Sequence, residues 1–139
     1  MGPLDRSLFQ RVDHIGVIVP DLADQRRWLG EIFGLPVTRE LDLPDRKIKA
    51  AFFGVGGVDV EMIEPQDPEG RRKQLAEGGR ARIDHIAVEV DDIQAVLKKL
   101  TPLGVRTRDP EPRKVGDRLN VWTLPETTGG VCYQLIQRL

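Results

Sequence analysis

The sequence predicts an α+β fold built from two tandem βαβββ modules, and three observations carry this prediction. A ten-residue phrase occurs twice, as DHIGVIVPDL at residues 13–22 and as DHIAVEVDDI at residues 84–93. Each phrase joins a β-rich run to an aspartate that is suited to cap a helix. Each half then closes with a second strand-like run, at residues 58–63 and 131–136. A repeat of this length predicts two equivalent structural units.

The first module is predicted to span about residues 12–65. Residues 12–19 form a β-rich strand, and Pro20 ends it because proline cannot donate to a strand ladder. Asp21 then caps a helix that Gly34 terminates. The remaining strands of this module are predicted at residues 37–41, 48–53 and 58–63.

The second module is predicted to repeat this order over about residues 81–137, after a connector at about residues 66–80. Asp91 or Asp92 caps a helix whose apolar residues keep helical spacing through Leu100. The strands of this module are predicted at residues 83–90, from Val105, at 119–124 and at 131–136, with a charged, proline-rich loop at 109–118.

Composition restricts the class of protein. A chain of 139 residues with 40% hydrophobic and 31% charged residues predicts one globular domain, residues 1–139. The net charge of −1 supplies no field that would attract nucleic acid or an anionic membrane. The single cysteine, Cys132, excludes a disulfide framework and a cysteine-based zinc site, and we expect it in the core. No apolar run reaches the length of a membrane span or a signal segment, which predicts a cytoplasmic protein.

Four side chains that can bind a metal hold equivalent places in the two modules. The only two histidines, His14 and His85, lie 71 positions apart, and Glu61 and Gln134 follow them by 47 and 49 positions. A lone strand histidine is usually a hydrogen-bonded core residue, but a Glu or Gln among apolar strand residues needs a partner. Two imidazole nitrogens, a carboxylate and an amide oxygen suit a divalent transition metal with open positions.

A family resemblance follows from these segments. The two DHI phrases, DVEMIEP, GGRARIDHIAVEVDDI and TTGGVCYQLI together resemble the vicinal oxygen chelate superfamily, which includes glyoxalase I, extradiol dioxygenases and bleomycin-resistance proteins. Within it, the chain is most similar to methylmalonyl-CoA epimerases, from about Val12 to Ile136. The resemblance implies mixed sheets that curl into a cup around one metal ion. The implied metal ligands are His14, Glu61, His85 and Gln134.

The resemblance also implies an activity. A divalent-metal-dependent isomerase or epimerase would transfer a proton α to a carbonyl through an enolate that the metal stabilises. The implied substrate is a small molecule with adjacent oxygens, with acyl-CoA esters among the candidates. Cobalt, nickel, zinc or manganese is expected ahead of iron, and a homodimer is expected by analogy.

One position departs from the epimerase pattern. The last strand of the epimerases reads close to Ile-Glu-Leu, and its Glu binds metal and moves a proton, whereas this chain has Gln134, which cannot act as a base. Because the modules are pseudo-twofold related, Glu61 is predicted to be the catalytic residue, with Glu89 or Asp59 next in line. The basic residues Arg113, Lys114 and Arg118 either meet an anionic group or belong to a solvated loop.

Other members of the superfamily supply the alternatives. A lyase of the glyoxalase I type would use the same ligands and the same proton transfer. Two histidines and one carboxylate also describe the facial triad of Fe(II) dioxygenases. A drug- or metabolite-binding protein without catalytic activity is the non-enzymatic alternative, and the four ligand-capable residues argue against it.

Overall fold

A computed structural model of the chain describes residues 4–5 and 8–139. These residues form two compact units. The first unit is His14–Asp84, and the second is His85–Leu139 with the described residues that precede His14. Within the described ranges, no helix has both the length and the apolar character needed to cross a membrane. The α+β class and the β-α-β-β-β order of each half are confirmed.

The first unit contains four hydrogen-bonded strands in the order β2-β3-β4-β1. Strand β1 pairs with β4 in parallel, and the other two pairs are antiparallel. The strands are β1 (Phe9–Ile18, of which this unit holds His14–Ile18), β2 (Val37–Leu43), β3 (Ile48–Val55) and β4 (Val58–Pro65).

Helix α1 (Leu22–Gln25) begins at Asp21, whose carboxylate accepts from the Asp24 N–H. It continues as a π-helix over Arg26–Ile32, in which the Phe33 N–H donates to the Trp28 carbonyl five residues earlier. Gly34, at a φ of 72°, ends it as predicted. The helix packs on one face of the sheet, where the buried cluster is Val19, Leu22, Ala51, Phe53 and Met62.

The opposite face of the same sheet carries a smaller apolar cluster and the polar side chains of His14 and Glu61. Ile18, Ala50 and Ile63 are buried there, and side chains alternate between the two faces along each strand. Helix α2 (Pro68–Gln74) follows β4 and is capped by Asp67, which accepts from the Gly70 N–H. It lies within the predicted connector.

The second unit repeats the plan, with the strand order β5-β8-β7-β6 and a parallel β5–β8 pair. Asp92, rather than Asp91, caps helix α3 (Ile93–Leu100) by accepting from the Ala95 N–H at 3.1 Å. Ile93 and Val96 pack into the main cluster with Val90, Val121 and Leu135. The strands are β5 (Arg82–Val90, held from His85 onward), β6 (Arg113–Val115), β7 (Arg118–Trp122) and β8 (Cys132–Arg138).

Both units anchor the start of their helix in the same way. The Leu22 N–H donates to Glu64 Oε2 at 2.6 Å, and the Ile93 N–H donates to Gln137 Oε1 at 2.9 Å. Each acceptor lies on the last strand of its unit, three residues beyond Glu61 or Gln134. The repeat therefore extends to the hydrogen bonds that fix each helix N-terminus.

The predicted strand from Val105 is wrong. Residues near it form only an isolated bridge between Thr107 and Thr123, although the Arg108 N–H donates to the Trp122 carbonyl. Pro110 and Pro112 lack the N–H that would extend this ladder. Strand β6 instead forms inside the segment that was predicted as a loop.

Candidate functional site

His14 and Glu61 are brought together in the first unit. In the parallel pairing of β1 and β4, His14 lies opposite Asp59 and Gly16 lies opposite Glu61. His14 and Glu61 therefore face the same side, two positions apart along the ladder. Their exposures are 3% and 7%, and His14 Nε2 lies 3.3 Å from Glu61 Oε1. A buried carboxylate is costly unless it has a partner, and the imidazole is such a partner.

His85 and Gln134 hold the matching register in the second unit. His85 lies opposite Cys132, and Ala87 lies opposite Gln134, in the parallel pairing of β5 and β8. Both polar side chains are buried. The equivalence that the sequence predicted for the four residues is therefore present in the backbone register of each unit. Cys132 is buried, as expected of a core residue.

Small residues lie directly opposite both oxygen donors. Gly16 pairs with Glu61, and Ala87 pairs with Gln134. A long side chain at either position would fill the face that the carboxylate or amide occupies, because paired residues on neighbouring strands project to the same side. Each unit thus presents one imidazole and one oxygen donor beside a position without a bulky side chain.

An aromatic ring borders the first pair. Phe52 lies opposite Glu61 in the β3–β4 ladder and meets His14 edge to face, with ring centroids 5.4 Å apart and an interplanar angle of 83°. Such a contact restricts rotation of the imidazole and keeps its surroundings apolar. His14 is therefore held between a ring and a carboxylate.

Asn120 orients Gln134 and was not predicted. Gln134 Nε2 donates to Asn120 Oδ1 at 3.0 Å, and Asn120 Nδ2 donates to the Arg113 carbonyl at 3.4 Å. Because the amide nitrogen of Gln134 donates this hydrogen bond, the amide oxygen Oε1 is the atom that can bind a cation. The signal that identified Gln134 could have found Asn120, since it too is a polar residue between apolar strand neighbours, Leu119 and Val121.

The predicted rim residues have different surroundings. Glu89 Oε1 accepts from Arg138 Nε at 2.7 Å, and this hydrogen bond is the main cause that raises the pKa of Arg138 above its ordinary value. Asp59 is half-buried opposite His14. Of the three basic residues, Arg113 and Lys114 are exposed on β6.

Arg118 belongs to a charge network with a buried carboxylate at its centre. Asp13 is 6% exposed, and its Oδ1 accepts from Arg138 Nη2 at 2.8 Å and from Arg11 Nη2 at 3.0 Å. Arg118 Nη1 lies 3.8 Å from Asp13 Oδ2. We call these residues, with Glu89, the charge network. Arg118 therefore lies within ion-pair distance of a buried carboxylate.

The donor set fits a divalent metal of intermediate hardness. Imidazole nitrogens suit zinc, copper, iron and nickel, and carboxylate or amide oxygens extend the range to manganese. The buried position of all four side chains and the Asn120 bond that orients Gln134 are the kind of support that metal ligands require.

Comparisons with known proteins show which family the chain is similar to. The profile of the family described as the Glyoxalase/Bleomycin resistance protein/Dioxygenase superfamily matches residues 13–121. The uncharacterized protein YqjC of Bacillus subtilis is 27% identical over 128 residues, which cover 91% of each chain. The ethylmalonyl-CoA/methylmalonyl-CoA epimerase of Cereibacter sphaeroides is 30% identical over 114 residues, which cover 76% of this chain and 80% of the relative. In fold, the chain is similar to methylmalonyl-CoA epimerase from Mycobacterium tuberculosis, with a TM-score of 0.84 at 24% identity over 99% of this chain and 93% of that one.

Proposed function

Because the chain belongs to the Glyoxalase/Bleomycin resistance protein/Dioxygenase superfamily, we propose that it is a divalent-metal-dependent epimerase or related isomerase. Its substrate is an acyl-CoA ester with an acidic carbon next to the thioester carbonyl. The observation that carries this proposal is the matched register of two buried pairs, His14 with Glu61 and His85 with Gln134. The acyl-CoA substrate is supported by the activity named for the relative from Cereibacter sphaeroides.

We assign the metal to four ligands, His14, Glu61, His85 and Gln134. Each unit then supplies one nitrogen and one oxygen donor. A divalent cation held there would stabilise the negative charge that develops on a carbonyl oxygen when the adjacent carbon loses its proton. Cobalt, nickel, zinc or manganese is the expected ion, and a homodimer is the expected assembly.

Glu61 moves the proton. We assign the proton transfer to one oxygen of its carboxylate, whose Oε1 lies 3.3 Å from His14 Nε2. This oxygen takes the proton from the α-carbon, and the C–H electron pair passes into the carbonyl group as an enolate. Return of the proton to the opposite face inverts the carbon and restores the carboxylate. The inversion requires the planar enolate to turn relative to Glu61 before the proton returns.

Solvent exchange tests the proposal. The purified protein, loaded in turn with cobalt, nickel, zinc or manganese, is incubated with methylmalonyl-CoA in deuterated water, and loss of the α-proton is followed by NMR. We expect exchange with the wild type and none with Glu61→Gln, because an amide cannot take up the proton. Glu40→Gln is the matched control, since Glu40 is exposed on β2 and forms an ion pair with Arg26.

Two outcomes would contradict this assignment. Exchange that survives in Glu61→Gln with metal still bound would move the base to another group, with Asp59 the nearest carboxylate in the β4 register. Absence of exchange in the wild type with every metal would remove the support for proton transfer. Iron in the purified protein would then favour a dioxygenase, and absence of metal a binding protein.

A further inference from the structure

The second unit has a groove between helix α3 and the segment that follows it, which we call the α3 groove. Its volume is about 360 Å³, and its lining comes from α3, from Thr101 next to the end of α3, and from residues 105–111. Sites for small molecules begin at volumes of roughly 300 Å³. The α3 groove is therefore large enough to hold a small ligand.

The α3 groove arises where the second unit departs from the repeat. In the first unit, the strand after α1 pairs with β3 from Val37 to Leu43. In the second unit, the chain after α3 forms an isolated bridge at Thr107 and bends over residues 108–111, and β6 begins at Arg113. This bent segment forms one wall of the α3 groove, and α3 forms the other.

The α3 groove lies on the opposite face of the sheet from Gln134. Leu97 and Leu100 line the groove and pack against the buried cluster that contains Leu135. Because side chains alternate between the two faces of a strand, Leu135 and Gln134 project to opposite sides of β8. The groove is therefore separate from the oxygen donor that this unit offers to a metal.

The lining of the α3 groove is amphipathic. Leu97, Leu100 and Val105 are partly buried and supply an apolar floor. Lys98 and Arg106 lie beside this floor, and among residues 4–5 and 8–139 neither of them has a carboxylate partner. An apolar floor with cations beside it is complementary to an anion that carries an apolar chain.

The backbone holds Arg106 in place. Its Nη1 donates to the Val105 carbonyl at 3.2 Å and to the Thr101 carbonyl at 3.5 Å, and its own N–H donates to Thr127 Oγ1 at 3.1 Å. Within the described part of the chain, Nε and Nη2 of Arg106 have no protein partner. A guanidinium that is positioned in advance loses less side-chain entropy when it binds an oxyanion.

Two features of the α3 groove oppose an anion, and both are outweighed. Glu111 also lines the groove, but the lining has two cations for this one carboxylate. The carbonyl end of a helix carries partial negative charge. Here the Leu97 carbonyl accepts from Thr101 Oγ1 at 2.8 Å, and the Leu100 carbonyl accepts from the Val105 N–H at 3.3 Å. The lining therefore keeps a net positive charge.

We propose that the α3 groove is a second binding site, which takes a small organic anion with an apolar chain, such as a carboxylate on a short alkyl chain. The carboxylate binds in the plane of the Arg106 guanidinium, and Lys98 supplies the second cation. The alkyl chain lies on Leu97 and Val105, where its apolar surface is removed from water. This site does not depend on the proposed function, because no proposed metal ligand lines the groove.

Titration of the isotope-labelled, zinc-loaded full chain by NMR tests the proposal. Hexanoate is the probe, hexanamide is the neutral probe of the same shape, and acetate is the anion without the longer chain. We expect hexanoate to cause saturable shifts in the backbone amide signals of the groove residues, with an affinity at least about tenfold above that of either other probe. Equal affinity for hexanamide or for acetate, or absence of saturable shifts at the groove, would overturn the proposal.

Variants separate the two cations from a general charge effect. Lys98→Gln and Arg106→Gln should each weaken hexanoate binding by about fivefold, and Arg106→Lys less, since lysine keeps the charge. Lys99→Gln is the matched control, because Lys99 is the next residue of α3 and is exposed, yet it does not line the groove. Unchanged amide signals away from the groove show that each variant is folded. Equal hexanoate affinity in all these variants would overturn the proposal.

The metal-free protein separates this site from the proposed metal centre. Removal of zinc should leave the affinity of the α3 groove for hexanoate unaltered. Shifts that are confined to the surroundings of His14 and Glu61 and disappear with zinc would assign hexanoate to the metal and overturn the groove site. Failure of zinc to bind, with hexanoate still bound at the groove, would contradict the proposed function and leave the groove site intact.

Discussion

Glu61 and Gln134 hold equivalent backbone positions. Their side chains differ in one atom, because Gln134 has an amide nitrogen where Glu61 has a second carboxylate oxygen. That difference divides the chemistry between the units, since a carboxylate can take up a proton near neutral pH and an amide cannot. Asn120 completes the distinction by accepting a hydrogen bond from Gln134 Nε2. The Glu61 carboxylate has no amide neighbour at the corresponding place, where Ala50 is found.

Gln134→Glu should tighten metal binding and lower the stability of the metal-free protein. The new anion attracts a dication more strongly than a neutral amide does, by up to about tenfold in affinity. The new carboxylate would also face Asn120 Oδ1, so the lost bond should reduce the free energy of unfolding by about 1–2 kcal/mol. Competition with a chelator measures the first effect, and denaturant unfolding without metal measures the second.

Gln137→Glu serves as the control for that prediction. Gln137 lies on the same strand, and its Oε1 accepts from the Ile93 N–H, a bond that a carboxylate can keep. Its substitution should leave metal affinity unaltered. Equal metal affinity in Gln134→Glu and the wild type would exclude Gln134 as a ligand.

At the scale of elements, the repeat and the caps could be predicted, whereas the details that depend on tertiary contacts could not. Asp21 and Gly34 bound α1 as their side-chain chemistry requires. The π-helical continuation of α1 has no signal in the sequence. The Asp109–Arg118 segment reads as a loop because it is charged and rich in proline, yet β6 forms there through its pairing with β7.

Within the site, too, some features could be predicted from the sequence and others depend on tertiary contacts. The four ligand positions could be predicted because they repeat in the sequence. The stacking of Arg108 on Trp122 could not, because it depends on a backbone bond between residues 14 positions apart that no local pattern records. Sequence periodicity predicts the sheet face on which a side chain lies. The side chains that it contacts there depend on long-range strand pairing.

The charge network links the end of β8 to neighbouring strands through Arg138. The substitution Arg138→Gln should therefore lower the stability of the protein. The substitution removes the hydrogen bond that Arg138 donates to the buried Asp13 carboxylate, so we expect a loss of about 1 kcal/mol in the free energy of unfolding. Lys73→Gln, which removes an exposed ion pair with Glu69, is the control and should cost less than about 0.5 kcal/mol.

The pH dependence of this loss follows from the raised pKa of Arg138. A base whose pKa is raised in the folded state contributes its stabilisation below the unfolded pKa and loses it only as pH rises through the folded one. Both values lie above the working range, so the difference between Arg138→Gln and the wild type should be constant from about pH 6 to 9. A difference that changes steeply within that range would assign the effect to another group. Denaturant unfolding at several pH values provides the measurement.

At the scale of the whole molecule, the equivalent features of the two units raise the question of how many metal ions one chain binds. Each unit has its own buried histidine and oxygen donor, its own arginine stacked on an aromatic ring and its own anchored helix. Two separate sites, one per unit, would each offer only two protein ligands, which is fewer than the three or four that tight divalent sites use. The proposal of one ion with four ligands therefore matches the ligand number that such sites use.

Metal content and thermal stability of histidine variants distinguish a shared ion from separate ones. If one ion uses all four ligands, His14→Ala and His85→Ala should each remove most of the metal, and the double variant should lose no more. Metal that binds only the folded state stabilises it, so chelation should lower the melting temperature of the wild type and leave both single variants almost unchanged. Val12→Ala and Ile83→Ala are the controls, since these partly exposed side chains precede the histidines by two positions. Retention of half the wild-type metal in each single variant would show that the units bind metal independently.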